Sequence, residues 1–184
     1  MFMFYEVALI PMYLLIGVWG SGKKEYSAMK LTLMLMGGSA LILIGILGAY
    51  YGAGATTMNV VELAELEIPV KMQTIFFPLL FVGFGILGAL FPFHTWSPDG
   101  HASAPTAVSM LHAGVLMKLG GYGCFRIAMY LMPEGLQMWD EVFLVLTTIS
   151  VVYGAFSAVV QTDLKYINAY SSVSHCGLVL FALL

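Results

Sequence analysis

The chain has 184 residues, of which 60% are hydrophobic and only 9% are charged, and its net charge at pH 7 is −3. Soluble domains carry about 25% charged residues, so this composition excludes a soluble enzyme and predicts an integral membrane protein. The 7 Lys and Arg residues form no basic stripe that could follow a phosphate backbone, which excludes nucleic acid as a partner.

Six apolar stretches are long enough to cross a bilayer, because about 20 residues at about 1.5 Å each span the hydrocarbon layer. In chain order they are Phe2–Trp19, Leu31–Tyr51, Met72–Phe91, Pro105–Leu131, Val142–Val160 and Ile167–Leu184. The predicted fold is therefore an all-α bundle of six transmembrane helices, and residues 1–184 form a single transmembrane domain. Both ends of the chain lie inside apolar runs, so we expect a fragment of a longer protein.

The loops between these spans fall alternately on the two sides of the membrane. Loops 20–30, 92–104 and 161–166 share one side and hold four lysines, whereas the other side holds Lys71, with Arg126 at a helix end. Positive residues concentrate in cytoplasmic loops. We therefore expect these three loops in the cytoplasm or its equivalent.

Two charged groups lie deep inside predicted spans, where a carboxylate or ammonium costs about 2.5–3.5 kcal/mol and so indicates a function. Glu6 and Lys118 each lie thirteen residues from the cytoplasmic-side ends of their spans, at Trp19 and Pro105, which is a depth of about 20 Å. An acid and a base at one depth suit a lateral proton relay, because each charge shifts the pKa of the other group. They also suit a static ion pair between two helices.

Two histidines lie nearer to the cytoplasmic side, His112 in the fourth span and His175 in the sixth. Histidine exchanges protons between about pH 5 and 8, which suits a path for proton uptake from water. A histidine in a membrane helix also serves simply to bond a carbonyl or hydroxyl group on a facing helix. The sequence leaves both roles open for both residues.

His94, Asp99 and His101 lie in a loop that contains proline and glycine, and their spacing does not favour a metal site. We expect them to cap the fourth span or to bond its neighbours.

Gly120, Gly121 and Gly123 follow Lys118, where small residues allow close helix approach or leave room for water. The sequence has no CxxC motif, no glycine-rich phosphate-binding loop and no pair of residues spaced as haem ligands. We therefore expect no cofactor or metal in this chain.

Several segments carry a resemblance to a known family. They are FYEVALIPMY (4–13), FPFHTWSPDGH (91–101), APTA (104–107), GVLMKLGGYG (114–123), QTDLK (161–165) and AYSSVSH (169–175). In their order and spacing the chain resembles the antiporter-like membrane subunits of the proton-pumping NADH-quinone oxidoreductase, respiratory complex I, and among these the chain M group.

The resemblance implies a fold of about fourteen spans with two inverted repeats of five, of which this chain supplies spans five to ten. It places Glu6 and Lys118 in the proton path. A lysine of the seventh span in the family corresponds here to Leu87, and a charged residue of the twelfth span lies beyond Leu184. Leu87 and His112 lie roughly 6 and 10 Å from corresponding helix ends. We therefore expect His112 to carry protons near the position of the absent lysine.

The implied function is that of a proton-translocating subunit in a bacterial inner membrane, bound to other membrane subunits and to lipid. NADH, FMN, iron–sulfur clusters and quinone are then expected on partner subunits, because this chain has no motif for redox chemistry. Two alternatives remain at this point. The chain could belong to a multi-subunit Na⁺/H⁺ antiporter or a membrane-bound hydrogenase, or it could be a structural spacer that no longer pumps.

Overall fold

The computed structural model describes residues 2–54, 57–66 and 68–184, and every regular element in these ranges is helical. The α-helices are α1 (Phe2–Trp19), α2 (Lys24–Gly52), α3 (Val60–Glu65), α4 (Val70–Leu87), α5 (Trp96–Ser103), α6 (Thr106–Leu111), α7 (Met117–Gly123), α8 (Pro133–Val160) and α9 (Leu164–Leu183). A π-helical segment, His112–Leu116, joins α6 to α7, and a second, Cys124–Met129, follows α7. The all-α prediction is confirmed.

Four of these helices, α1, α2, α4 and α8, are long and apolar enough to cross a membrane. They correspond to the first, second, third and fifth predicted spans. The fourth predicted span is helical but is divided by the two π-helical segments, and the sixth corresponds to α9, which carries Asn168, His175 and several serines among its apolar residues. By length and composition, therefore, the helices support four spans and not the full count of six.

Several helices extend further into the predicted loops than their apolar runs suggest. Helix α2 already begins at Lys24, and α8 begins at Pro133, because a proline at the first helical position lacks only an N–H that would have no partner there. The predicted loop 92–104 contains helix α5, which is a correction to the sequence analysis. Pro98 lies in the first turn of α5, where it removes no hydrogen bond within the helix.

The long helices pack mainly against helices that are close in the sequence: α2 lies between α1 and α4, and α8 packs against α9. Close contact between α7 and the end of α4 depends on Gly120. A Cβ atom at this position would lie 2.5 Å from the backbone nitrogen of Gly88 and 2.6 Å from the carbonyl oxygen of Phe84. The predicted close helix approach at the glycines after Lys118 is confirmed at this position.

The short helix α5 is fixed between α2 and α9 by polar contacts. Lys30 on α2 forms an ion pair of 2.6 Å with Asp99, and the hydroxyl of Ser103 donates to that of Ser27 at 2.7 Å. From α9, the ammonium of Lys165 donates to two carbonyl oxygens at the end of α5, at 3.2 and 3.1 Å. These contacts hold the α5 histidine, His101, against Ser109 on α6 and His112 in the π-helical segment that follows α6.

Candidate functional site

Lys118 lies on α7, directly beyond the π-helical segment His112–Leu116. Its ammonium donates to the sulfur of Cys176 on α9 at 3.5 Å. The side chain is exposed to a cavity of about 500 Å³ between α6 and α9. The polar residues that line this cavity with Lys118 are Thr106, Ser109, Lys165, Asn168 and Ser172. Lysine, hydroxyl and amide groups thus surround a space that can hold water.

A stack of three aromatic rings lies next to this cavity. The ring of His112 is fully buried between Trp96, at a centroid distance of 5.1 Å, and His101, at 4.4 Å, with interplanar angles of 14° and 18°. The indole N–H of Trp96 donates to the carbonyl oxygen of Ile86 on α4 at 3.0 Å. This bond fixes one end of the stack to the helix that carries Leu87.

Ser109 connects the stack to the Lys118 cavity. Its hydroxyl oxygen lies 2.9 Å from Nδ1 of His101, and Ser109 also lines the cavity. Within the described part of the chain, Nε2 of His101 and both ring nitrogens of His112 are buried without a hydrogen-bond partner. Buried polar groups are nearly always hydrogen-bonded, so these three nitrogens mark positions that an ordered water would satisfy.

His94 and His101, which precede the fourth predicted span, lie outside the predicted membrane-spanning segments. Burial lowers the pKa of His101 to about 4. Burial, and secondarily the charge of Lys30, also lowers the pKa of His94. A neutral imidazole has one N–H donor and one acceptor nitrogen, and in His101 it is Nδ1 that contacts Ser109.

Glu6 lies on α1, away from this stack, and its surroundings are mostly apolar. It lines a separate cavity of about 390 Å³ between α1 and α2. One of its carboxylate oxygens, Oε1, is buried without a hydrogen-bond partner among the residues that the structure describes. Within residues 2–54, 57–66 and 68–184, no hydrogen bond or ion pair joins Glu6 to Lys118, and their cavities share no lining residue.

His175 is also separate from the stack. Its side chain is exposed on α9, whereas the neighbouring Cys176 points inward to Lys118. The structure therefore brings His112 close to the Lys118 cavity and leaves Glu6 and His175 on other surfaces. Leu87 is buried at the end of α4, one residue beyond the carbonyl that binds Trp96.

His101 and Ser109 are the residues that the sequence analysis did not identify as part of a site. His101 was expected to cap the fourth span or to bond its neighbours; in the structure its Nδ1 instead contacts Ser109, which lies within that span. Its position against His112 depends on α5, a helix that the sequence did not predict. The spacing of Ser109 and His112, three residues apart at the start of an apolar span, was the available signal.

The apolar helices define an integral membrane protein, and comparison with known proteins gives its family. Residues 1–184 match the family described as NADH:quinone oxidoreductase/Mrp antiporter, TM, and the chain belongs to this family. The resemblance found in the sequence motifs is thereby confirmed.

Similar sequences include NAD(P)H-quinone oxidoreductase chain 4 2 of Microcystis aeruginosa, which is 40% identical over 183 residues, with 99% of this chain and 33% of the relative covered. NAD(P)H-quinone oxidoreductase chain 4, chloroplastic, of Citrus sinensis is also 40% identical, with 99% of this chain and 37% of the relative covered. The chain thus spans about a third of the length of the curated relatives it matches.

Similar solved structures include respiratory complex I from Thermus thermophilus, with a TM-score of 0.89, 30% identity, and coverage of 96% of this chain and 38% of that one. The archaeal membrane-bound sulfane sulfur reductase has a TM-score of 0.89 at 29% identity, with 99% and 38% covered. The Mrp complex from Dietzia sp. shares the fold, with a TM-score of 0.83 at 24% identity, and coverage of 99% of this chain and 34% of that one.

Proposed function

We propose that the protein containing this chain is a proton-translocating membrane subunit of NADH:quinone oxidoreductase. The observation that carries the proposal is the polar cavity at Lys118, which leads through the hydroxyl of Ser109 to the stacked rings of His101 and His112. The relatives named NAD(P)H-quinone oxidoreductase chain 4 support the assignment of this subunit to that enzyme.

In this proposal Lys118 holds a proton in the middle of the membrane, and its charge changes as the proton leaves for the cavity. We propose that protons move between Lys118 and the aqueous side through water in the cavity, the hydroxyl of Ser109 and the imidazoles of His101 and His112. The position of Ser109, which lines the cavity and contacts His101, supports the first part of this route. Glu6 is the acidic group of a second part of the path, and His175 exchanges protons at the exposed face of α9. Each step moves one proton between neighbouring groups, and no other bond changes.

The larger architecture is part of the proposal. Residues 1–184 form one transmembrane domain of six spans, which are the fifth to tenth of a fourteen-span fold with two inverted repeats. The four lysines of loops 20–30 and 161–166 support a cytoplasmic position for these two loops and for loop 92–104, which is expected on the same side. A bacterial inner membrane is the proposed location.

Partner subunits supply the electron transfer. We place NADH, FMN, the iron–sulfur clusters and quinone on those subunits, so that this chain contributes only proton steps. Energy then reaches the chain as a conformational or electrostatic change that alters the affinity of Lys118 for a proton, because coupling requires two states that bind the proton differently. Other membrane subunits of the complex transmit that change.

The test is the substitution Lys118→Met in the assembled enzyme, reconstituted in vesicles. Proton pumping should fall at least tenfold, because methionine retains the length of the side chain but cannot hold a proton. The control is Lys24→Met, which removes an ammonium that donates to the Val18 carbonyl oxygen, away from the Lys118 cavity. Equal pumping by the Lys118→Met and wild-type enzymes would contradict the proposal and would instead fit a structural spacer.

A further inference from the structure

A sulfur atom, Sγ of Cys176, lies against the ammonium of Lys118 at 3.5 Å. Cys176 is buried on the inward face of α9, with Val173 one turn before it and Leu180 one turn after it. The contact therefore joins α9 to α7 at the residue that we propose as the proton holder.

Lys118 lines two cavities, and Cys176 lines the smaller one. The larger is the polar cavity of about 500 Å³ between α6 and α9. The smaller, of about 90 Å³, lies between Gly88 at the end of α4 and the helices α7 and α9. Apart from Lys118 and Cys176, its lining is apolar except for Tyr122. Cys176 thus contacts Lys118 from the less polar of the two cavities.

A thiol can bond a lysine in both of its protonation states. An ammonium has three donors and no acceptor, so it needs an acceptor, which the sulfur supplies. A neutral amine has a free lone pair, to which the S–H of the same thiol can donate. A carboxylate would instead favour the charged state. Among the residues that the structure describes, neither Asp nor Glu lines either cavity.

Other polar groups around the larger cavity already have partners. The hydroxyl of Ser172 donates to the Asn168 carbonyl oxygen at 2.9 Å, so its hydrogen is not available to an amine. The ammonium of Lys165 donates to two carbonyl oxygens at the end of α5 and has no acceptor to offer. The S–H of Cys176, in contrast, has no acceptor within the described part of the chain.

We propose that Cys176 is a positioning residue for Lys118. Its thiol accepts from the ammonium and donates to the neutral amine, and so holds the flexible four-carbon side chain in place while the proton is exchanged with the larger cavity. The thiol keeps its own hydrogen throughout, so it is a hydrogen-bond partner and not a proton carrier. This inference rests on the proposed role of Lys118 in proton transfer.

The first experiment compares Cys176→Ala with Cys176→Ser in the assembled enzyme, reconstituted in vesicles. The rate of proton pumping should fall at least about threefold in Cys176→Ala, because loss of one hydrogen bond changes an equilibrium by roughly that factor or more. Cys176→Val, which fills the space without a hydrogen-bonding group, should show the same loss. Cys176→Ser should retain most of the pumping, since a hydroxyl also donates and accepts.

The matched control is Cys124→Ala, which removes the other buried thiol of the chain. Its sulfur lies 3.8 Å from the Phe81 carbonyl oxygen and lines neither Lys118 cavity. Pumping should therefore stay at the wild-type rate. Wild-type pumping by Cys176→Ala, or an equal loss in Cys176→Ser and Cys176→Ala, would overturn the inference.

The second experiment reads the contact without measuring pumping. The S–H stretching band of Cys176 is isolated as the infrared difference between the wild-type complex and Cys176→Ser. This band should move in Lys118→Leu, because leucine is neither a donor nor an acceptor. The Cys124 band, isolated in the same way, should stay in place. An unmoved Cys176 band would overturn the inference.

Failure of the inference and failure of the proposed function give different results. If the proposed function is wrong, Lys118→Met pumps at the wild-type rate. If only the role of Cys176 is wrong, Lys118→Met loses pumping and Cys176→Ala does not.

Discussion

The two charged groups that lie deepest in the apolar helices, Lys118 and Glu6, have opposite surroundings. Lys118 faces hydroxyl, amide and ammonium groups from α6 and α9, close to two stacked imidazoles. Glu6 faces a mostly apolar cavity at the outer surface of α1, and one of its oxygens has no partner. In the part of the chain that the structure describes, polar neighbours thus surround Lys118, whereas one oxygen of Glu6 is left without a polar neighbour.

The largest expected effect comes from the tight packing on the Lys118 side. Gly120→Ala should destabilise the protein by more than about 2 kcal/mol, because the new Cβ meets the rigid backbone of α4 at 2.5 Å. The matched change on the Glu6 side is Gly17→Ala on α1, where the nearest atom to a new Cβ is 3.9 Å away. The thermal midpoint of each variant in detergent measures this contrast, and equal midpoints would contradict it.

The stability of the protein should also depend on pH through His101, which lies on the Lys118 side. The pKa of His101 falls to about 4 on burial, against about 6.5 in the unfolded chain. Between these pH values the unfolded state binds more protons, so stability falls as pH decreases, and the loss is nearly complete once pH is below about 4. His101→Asn should remove this loss in thermal unfolding between pH 7 and 4. His175→Asn, at an exposed position, is the control, and an unchanged acid loss in His101→Asn would exclude burial as its cause.

The smallest effect is expected beside Glu6. The hydroxyl of Tyr5 donates to the Leu35 carbonyl oxygen at 2.8 Å and so links α1 to α2. Tyr5→Phe should lower the free energy of unfolding by about 1 kcal/mol and leave proton pumping unchanged. Tyr13→Phe on the same helix is the control. A loss of pumping at wild-type stability would place Tyr5 in a proton path and remove the distinction between the two regions.

Much of the helical architecture could be predicted from apolar runs, because a spanning helix needs little more than length and hydrophobicity. The ends of α2 and α8 could not, since Lys24 and Pro133 continue their helices beyond those runs. Helix α5 was predicted as a loop because Pro98 and Gly100 favour turns, although proline is tolerated in a first helical turn.

The candidate site was predictable in part. The cost of burying a charge identified Lys118 and Glu6, and their separation into two cavities could not be deduced from equal depth alone. The contact of His101 with His112 could not be predicted, because the sequence did not predict α5. The direction of α5 relative to α6 depends on packing. The π-helical segments beside Lys118 have no sequence signal comparable to a cap or a proline.

The most direct test of proton passage through the stacked imidazoles is the number of protons pumped per electron in His112→Phe. Phenylalanine keeps an aromatic ring between Trp96 and His101 but cannot carry a proton. If protons pass through this stack, the ratio in the assembled, vesicle-reconstituted enzyme should fall by at least half while the thermal midpoint stays near that of the wild type. A ratio equal to that of the wild type would show that protons cross the subunit by another route.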